Sequence, residues 1–179
     1  DVPLLDQKAY IVYGSCLHSL LRQCVTCRAV CSVFTRRVCG TFAVMEQVCV
    51  NGHKYTWGTQ PSIEGLPAGN LMLAAGILFS GGSPIRILNL FRHLQIPTIS
   101  LSTYKLIQSS YLVPAVKHVW SAEQKAVIDQ RHGTPLHLGG DGRCCSPGHT
   151  AKYGSYTLMD LTDSKVLDMQ LIQVRFKQW

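Results

Sequence analysis

Two short stretches of the chain carry residues whose types and spacing can hold a metal. Cys24-Val-Thr-Cys27 separates two thiols by two residues, and Cys49-Val-Asn-Gly-His53 separates a thiol from an imidazole by three. Twenty-one residues, about the length of a β-hairpin, lie between Cys27 and Cys49. Zn²⁺ favours four tetrahedral sulfur and nitrogen ligands, so Cys24, Cys27, Cys49 and His53 form a chemically suitable Cys₃His set. Such a closed site is structural, because it leaves no position open for water. Gly52 lets the backbone bend so that His53 can turn inward. The alternative is a group of buried thiols beside a surface histidine. Cys16, Cys31 and Cys39 are surplus to the four, able to replace a ligand but expected as core or exposed thiols, and His18 is a poorer ligand.

The second candidate is a lone acid. Asp141 stands between Gly140 and Gly142, with Arg143, Cys144 and Cys145 following. The apolar run Pro135–Gly140 predicts a short strand ending at Asp141, and a carboxylate there is well placed to coordinate a divalent ion. Hard cations such as Mg²⁺ take oxygen ligands. Two-metal phosphoryl transfer needs several carboxylates. Asp160 and Asp168 fall within expected strands and Asp163 in an expected turn, so none is an obvious second leg. On these residues alone a structural turn is a better reading than a catalytic one.

The elements that would position these groups fall into three zones, giving an α+β chain. Residues 1–60 read as a small zinc-ribbon-like β module, with strands near 30–37, 40–48 and 54–59. Such a module has little core, and a closed zinc site would supply the missing folding free energy. Residues 61–133 read as helices. One begins at Pro67 and stops at Gly81-Gly82, and Ser83-Pro84 starts the next, with Ile85, Leu88, Phe91 and Leu94 as its buried face. A third starts near Ser100 or Ser102, and a fourth near Pro114, with Val116, Val119, Trp120 and Val127 inward. The stretch from Ser83 to Ser110 fits helix, short turn, second helix, the pattern of a helix-turn-helix. Lys105, Gln108 and Ser109 are then candidates for DNA contacts, with Arg86, Arg92 and His93 on phosphates. A plain helical bundle fits the same spacing. Residues 134–179 turn strand-like again, with alternating strands at 155–161 and 165–174 joined by Thr162-Asp163-Ser164.

Composition narrows the setting. Charged residues are only 15% and hydrophobic ones 46%, a folding rather than a disordered composition. Seventeen Lys and Arg against ten acids give +7, which suggests a polyanionic partner without deciding it. The opening "DVPLLDQKAY" has neither the basic start nor the apolar run of a signal peptide, and Leu71–Phe79 is too short to span a bilayer. An intracellular chain is expected, with its eight cysteines as metal ligands or thiols rather than disulfides.

Taken in order, "CVTC", "CVNGHKYTWGTQP", "PAGNLMLAAGILFSGGSP", "LFRHL" and "GGDGRCCSPGHTAKYGSYTLMDL" resemble transposon-encoded proteins of the DDE class in animals, nearest to the Kolobok-like or Mutator-like transposases. The resemblance spans about Lys8–Gln173. It implies a nuclear DNA transposase that binds transposon ends, possible homo-oligomers, no membrane, and an RNase H-like catalytic domain whose first three strands begin near residue 134. In that family three acids bind two Mg²⁺ ions for cut-and-paste transposition, and Asp141 matches the first by position. The second and third lie downstream of the three-strand meander, so this chain is expected to be incomplete as an enzyme. Two departures stand out: Cys145 occupies a position where the family usually has aspartate, and the ending "VRFKQW" departs from the pattern. A non-catalytic zinc-ribbon interaction or regulatory protein of transposon origin is the competing expectation.

Overall fold

The computed structural model describes residues 2–146 and 151–173. The expected Pro147-Gly148 turn and Val174 at the end of the last strand lie outside them. The chain is mixed α+β and forms two compact units, Asp1–Leu112 and Val113–Trp179.

The first unit opens with a short 3₁₀ turn, Leu4–Asp6, and helix α1, Gly14–Leu20. Strands β1 (Cys31–Cys39), β2 (Phe42–Cys49) and β3 (Lys54–Gly58) then form an antiparallel sheet in that order. The three expected strands are thus present, within a few residues at their ends. In β2, Met45, Gln47 and Cys49 are buried while their neighbours are half-buried, the period of two that a one-sided sheet requires. Arg36 forms the bulge in β1, between Thr35 and Arg37. Two short strands, β4 (Ser62–Ile63) and β5 (Leu66–Pro67), lead into α2 (Ala68–Phe79). Helices α3 (Pro84–His93) and α4 (Leu101–Ile107) follow, and a π-helical turn, Gln108–Leu112, closes the unit.

The helices share one core: Ala74 and Ile77 of α2, Leu88 of α3, Ile99, Tyr104 and Ile107, and Leu112. Gly81 takes φ +67° past the end of α2, and the Gly82 amide reaches back to the Ile77 carbonyl (3.1 Å), which satisfies the helix end. Gln95 does the same after α3 with φ +57°, its neighbour Ile96 bonding the Phe91 carbonyl at 2.9 Å. The buried face of α3 differs from the expected one. Ile85 and Leu94 are exposed, and the inward stripe is Pro84, Ile87, Leu88 and Phe91. Two apolar stripes compete on this helix, and the core it shares with α2 and α4 chooses between them.

A single amide binds sheet to helices. Asn70 of α2 is buried; its Oδ1 accepts from the Thr41 amide (2.8 Å) and hydroxyl (2.9 Å), and its Nδ2 donates to the Cys39 carbonyl (3.0 Å). It therefore holds the β1–β2 turn. Gln60 supports it, donating to the Thr41 hydroxyl and accepting from the Gly69 amide. The division expected at residue 60 is therefore not a structural one. The β module and α2–α4 fold as one unit, because this buried network crosses the linker.

The second unit holds α5 (Val113–Gln130) and an antiparallel meander of β6 (Leu138–Cys144), β7 (Tyr153–Asp160) and β8 (Lys165–Gln173). On α5 the inward positions are Trp120, Gln124 and Val127; Val116 and Val119 are exposed, contrary to expectation. Gln124 donates to the Leu167 carbonyl (2.8 Å). Arg131, just past the helix, meets the buried Asp160 at 2.8 Å and also pairs with Asp163 in the β7–β8 turn. The Thr162 amide and then Arg131 hold the Asp160 carboxyl below the usual carboxylate range.

Two predictions follow from these buried polar contacts. Asn70→Ala leaves the Thr41 amide and Cys39 carbonyl unpaired and should cost about 3 kcal/mol, measured by urea unfolding followed by circular dichroism. The Asp160 contact stabilises fully above the ordinary carboxylate range and is lost as pH falls through the lowered value. Arg131→Ala should therefore lower stability at neutral pH and flatten the decline below about pH 4 in thermal melts.

Candidate metal centre

The sequence makes its metal ligands with two turns of the same design. In the first, the Cys24 amide donates to the Ala29 carbonyl (2.9 Å) and the Arg28 amide returns to the Cys24 carbonyl (2.9 Å), with Arg28 at φ +59°. In the second, the Cys49 amide donates to the His53 carbonyl (2.8 Å) and the Gly52 amide to the Cys49 carbonyl (2.9 Å), with Gly52 at φ +86°. A left-handed residue closes each turn, and glycine at 52 adopts it without strain. The amide two residues after each leading cysteine then points at its sulfur, Thr26 to Cys24 and Asn51 to Cys49, both at 3.4 Å.

The sheet brings the two turns together. Cys31 at the start of β1 pairs with Cys49 at the end of β2, and the isolated bridge between Gln23 and Val30 sets the first turn beside that end. Gln47 helps from beneath, donating from Nε2 to the carbonyls of Leu21 and Gln23. As a result one ligand atom from each of Cys24, Cys27, Cys49 and His53 lies within 4.8 Å of all the others. The Cys27 and Cys49 sulfurs are 3.4 Å apart, and Cys24 Sγ is 3.7 Å from His53 Nδ1. A zinc ion about 2.3 Å from each sulfur requires sulfur–sulfur edges of about 3.8 Å. The four groups can therefore hold a divalent metal such as zinc with small adjustments.

The electrostatics of the cluster suit a cation. Hydrogen bonds from the Cys27 backbone and from Thr26 bring the Cys24 thiol down to about 6, against the opposing effect of burial. The Ala29 amide, Asn51 and Cys49 lower Cys27 as well. Cys49 behaves differently. The Asn51 amide pulls it down, but burial and the neighbouring Cys27 and Cys24 together push it up to about 11. His53 is raised by hydrogen bonding to Cys27 and Cys24. The cluster thus favours the thiolate at Cys24 and Cys27 and the protonated form at Cys49 and His53, and a bound cation would displace any protons on these groups.

Cys31 is buried against Cys24 and Cys49 but donates to the Ala29 carbonyl at 3.7 Å, and burial raises its thiol. It is a core thiol beside the site, while Cys16 and Cys39 are exposed. The residue missed in the sequence is Asn51. Beyond its amide on Cys49, its Nδ2 donates to Cys27 Sγ at 3.4 Å, so it bridges the two turns. Its place between Cys49 and His53 was the signal.

The other expected site residues are not gathered together. Asp141 lies in the middle of β6, opposite Thr157, and not at a strand end or bend. The glycines around it seat an aromatic ring instead of making a turn: a Cβ at Gly140 would strike the Tyr156 phenol, and Gly142 pairs with Tyr156. Asp141 shares its face of the meander with Thr157 and Met169, whereas Asp160 and Asp168, the acids near α5, occupy the alternate positions. No group of three or more His, Cys, Asp or Glu side chains forms around Asp141 among the described residues. These residues do not fit a two-magnesium site. Cys145 lies just past β6, its sulfur accepting from the Tyr153 amide (3.3 Å). Arg86 and Arg92 are exposed on α3 and Lys105 on α4, while Gln108 is half-buried at the start of the π turn. Seven residues, Leu94–Ser100, connect α3 to α4, with Ile99 buried among them. That is longer than the three or four residues of a helix-turn-helix, so the expected pairing of these two helices is corrected.

Compared with protein-family models, curated proteins and solved structures, the chain gives no significant match. No helix among the described residues is long and apolar enough to cross a membrane.

Purified protein should carry about one zinc per chain by native mass spectrometry and elemental analysis. Cys49→Ser should abolish that stoichiometry and lower the melting temperature. Occupancy should fall as the pH is lowered, because protons compete with the metal for all four groups.

Proposed function

We propose that this chain is the DNA-binding portion of a DDE-type transposase, with a structural zinc module, acting on transposon ends in the nucleus and not cutting DNA by itself. The observation that carries the reading is the make-up of the first unit. One folded body joins a Cys₃His cluster to a helical layer that bears exposed Arg86, Arg92 and Lys105 and has no acid from residue 65 to residue 122. A surface with cations and no internal counter-charge favours a phosphate backbone. The three ion pairs among the described residues use only Arg36 and Arg131 as cations, so the helical cations remain available for phosphates.

The second unit supports the lineage. An antiparallel meander with an acid on its first strand is how an RNase H-like domain is expected to begin, and β6 has an edge open to a further strand among the described residues. The chemistry is missing its partners: Asp160 is engaged by Arg131, Asp168 by Gln124 and Gln170, and both occupy the positions alternate to Asp141. One carboxylate does not hold two metal ions.

The test is a titration of the chain onto terminal-repeat and unrelated duplexes at increasing salt. Binding should weaken steeply with salt and favour the terminal repeat. Absence of any duplex binding would leave a zinc-ribbon interaction or regulatory protein as the better reading. Incubation with Mg²⁺ or Mn²⁺ should produce no nicks, and nicking removed by Asp141→Ala would overturn the claim of catalytic incompleteness.

A further inference from the structure

We infer that α2 and α3 form the DNA-reading helix pair and that α3 is the helix that enters the major groove, an inference that rests on the DNA-binding reading above. The turn between them is Ser80-Gly81-Gly82-Ser83, four residues with glycine in the left-handed conformation. That is the length and composition of the turn in a helix-turn-helix, one helix earlier than the spacing of apolar residues suggests. The pair is rigid where it needs to be. Ile77 and Ala74 of α2 pack with Leu88 of α3 in one core, Ile87 lies against it, and Pro84 fixes the first turn of α3.

Beside the exposed Leu90 and Leu94, α3 leaves outside several groups that match duplex DNA. Its second, third and sixth residues are Ile85, Arg86 and Asn89, and the first two are exposed while Asn89 is half-buried. Residues near the start of a recognition helix are those that reach base edges. Arginine pairs with guanine, asparagine with adenine, and an apolar side chain meets the thymine methyl. One turn further on, exposed Arg92 and His93 are placed for phosphates, and Arg92 already donates to Asn89 (2.6 Å), which orders both side chains on one face. No carboxylate anywhere from residue 65 to residue 122 competes for these cations. By contrast α4 spans seven residues, and the Ser100, Ser102 and Thr103 hydroxyls at its start bond one another.

The experiment is selection of preferred sequences from a randomised duplex library with the full chain, followed by fluorescence anisotropy on the enriched duplex. Arg86→Ala and Asn89→Ala should each lower affinity for that duplex about tenfold or more and relax the preference at one position. Arg92→Ala should weaken all duplexes alike and reduce the salt slope by about one. Zinc content and circular dichroism, measured on every variant, exclude unfolding as the cause. Binding with unchanged preference in both Arg86→Ala and Asn89→Ala overturns the inference while leaving DNA binding in place. An equal or larger loss of preference in Lys105→Ala overturns it in favour of α4. Loss of self-association by sedimentation, with DNA binding unaltered, assigns the α3 surface to a second copy of the chain and also overturns it. A chain that binds no duplex at all fails the broader reading instead.

Discussion

Four side chains drawn to within 4.8 Å of one another set the terms for the amino-terminal end of this protein. The cluster of buried residues there consists of Cys24, Cys31 and Cys49 with Ala29 packed against it. Two of those three thiols belong to the group that can hold a metal. The site therefore occupies the place where a larger domain would have aliphatic side chains, and little apolar burial exists to hold α1, the two turns and the ends of β1 and β2 together. Cation coordination is the natural source of the missing cohesion. The backbone is arranged to suit: amides aimed at two sulfurs and an asparagine across a third are donors that stabilise thiolates and lose nothing when those thiolates acquire a metal.

Away from that end, stability comes from ordinary packing punctuated by a few buried polar contacts. In the first unit the helices close over a core of Ala74, Ile77, Leu88, Ile99, Tyr104 and Ile107. In the second, few apolar residues are buried among the described residues, Val127, Ala151 and Leu167, and α5 relies on Gln124 and Arg131 to hold it in register with the meander. Such contacts are selective because they fail when misaligned: a charged Asp160 in the interior is tolerable only with a guanidinium and an amide in place. The outer residues of β8, Leu171 and Ile172, stay exposed, which leaves this unit with apolar surface beyond what its own elements cover.

Much of this was readable from the chain because the signals were local. The intervals of two and three residues picked out the four side chains that the fold gathers, and alternation picked out most of the strands, though not the bounds of β6. What was not readable depended on partners distant in sequence. Glycines 139, 140 and 142 have the composition of a turn, and only Tyr156 and Leu161 from β7 and its end explain why they belong to a strand. On α3, Ile85, Ile87, Leu88 and Leu90 offer two apolar stripes, and the choice was made by the core that α2 and α4 share with it. The helix pair was misassigned for the same reason: Pro97 looks like a short break, yet Ile99 is drawn into the core and the connection lengthens around it. The acid at 141 reads in the sequence as the end of a strand, and its mid-strand position required the register of β6 against β7.

The amide of Asn70 carries a consequence for how such a protein can be rearranged. It satisfies a donor, a hydroxyl and an acceptor on the far side of the β4–β5 segment, and only a side chain with both an oxygen and an NH₂ can do so. Aspartate would present a second lone-pair surface to the Cys39 carbonyl, and leucine of similar bulk would take the Asn70 partner from the Thr41 amide and the Cys39 carbonyl and leave the Thr41 hydroxyl with Gln60 alone. The cysteine-bearing sheet is consequently no detachable cassette. Recombination or an expression boundary near residue 60 would strand half of a polar lock on each fragment, so the sheet and the helix behind it can be exchanged between proteins only as a single inherited block.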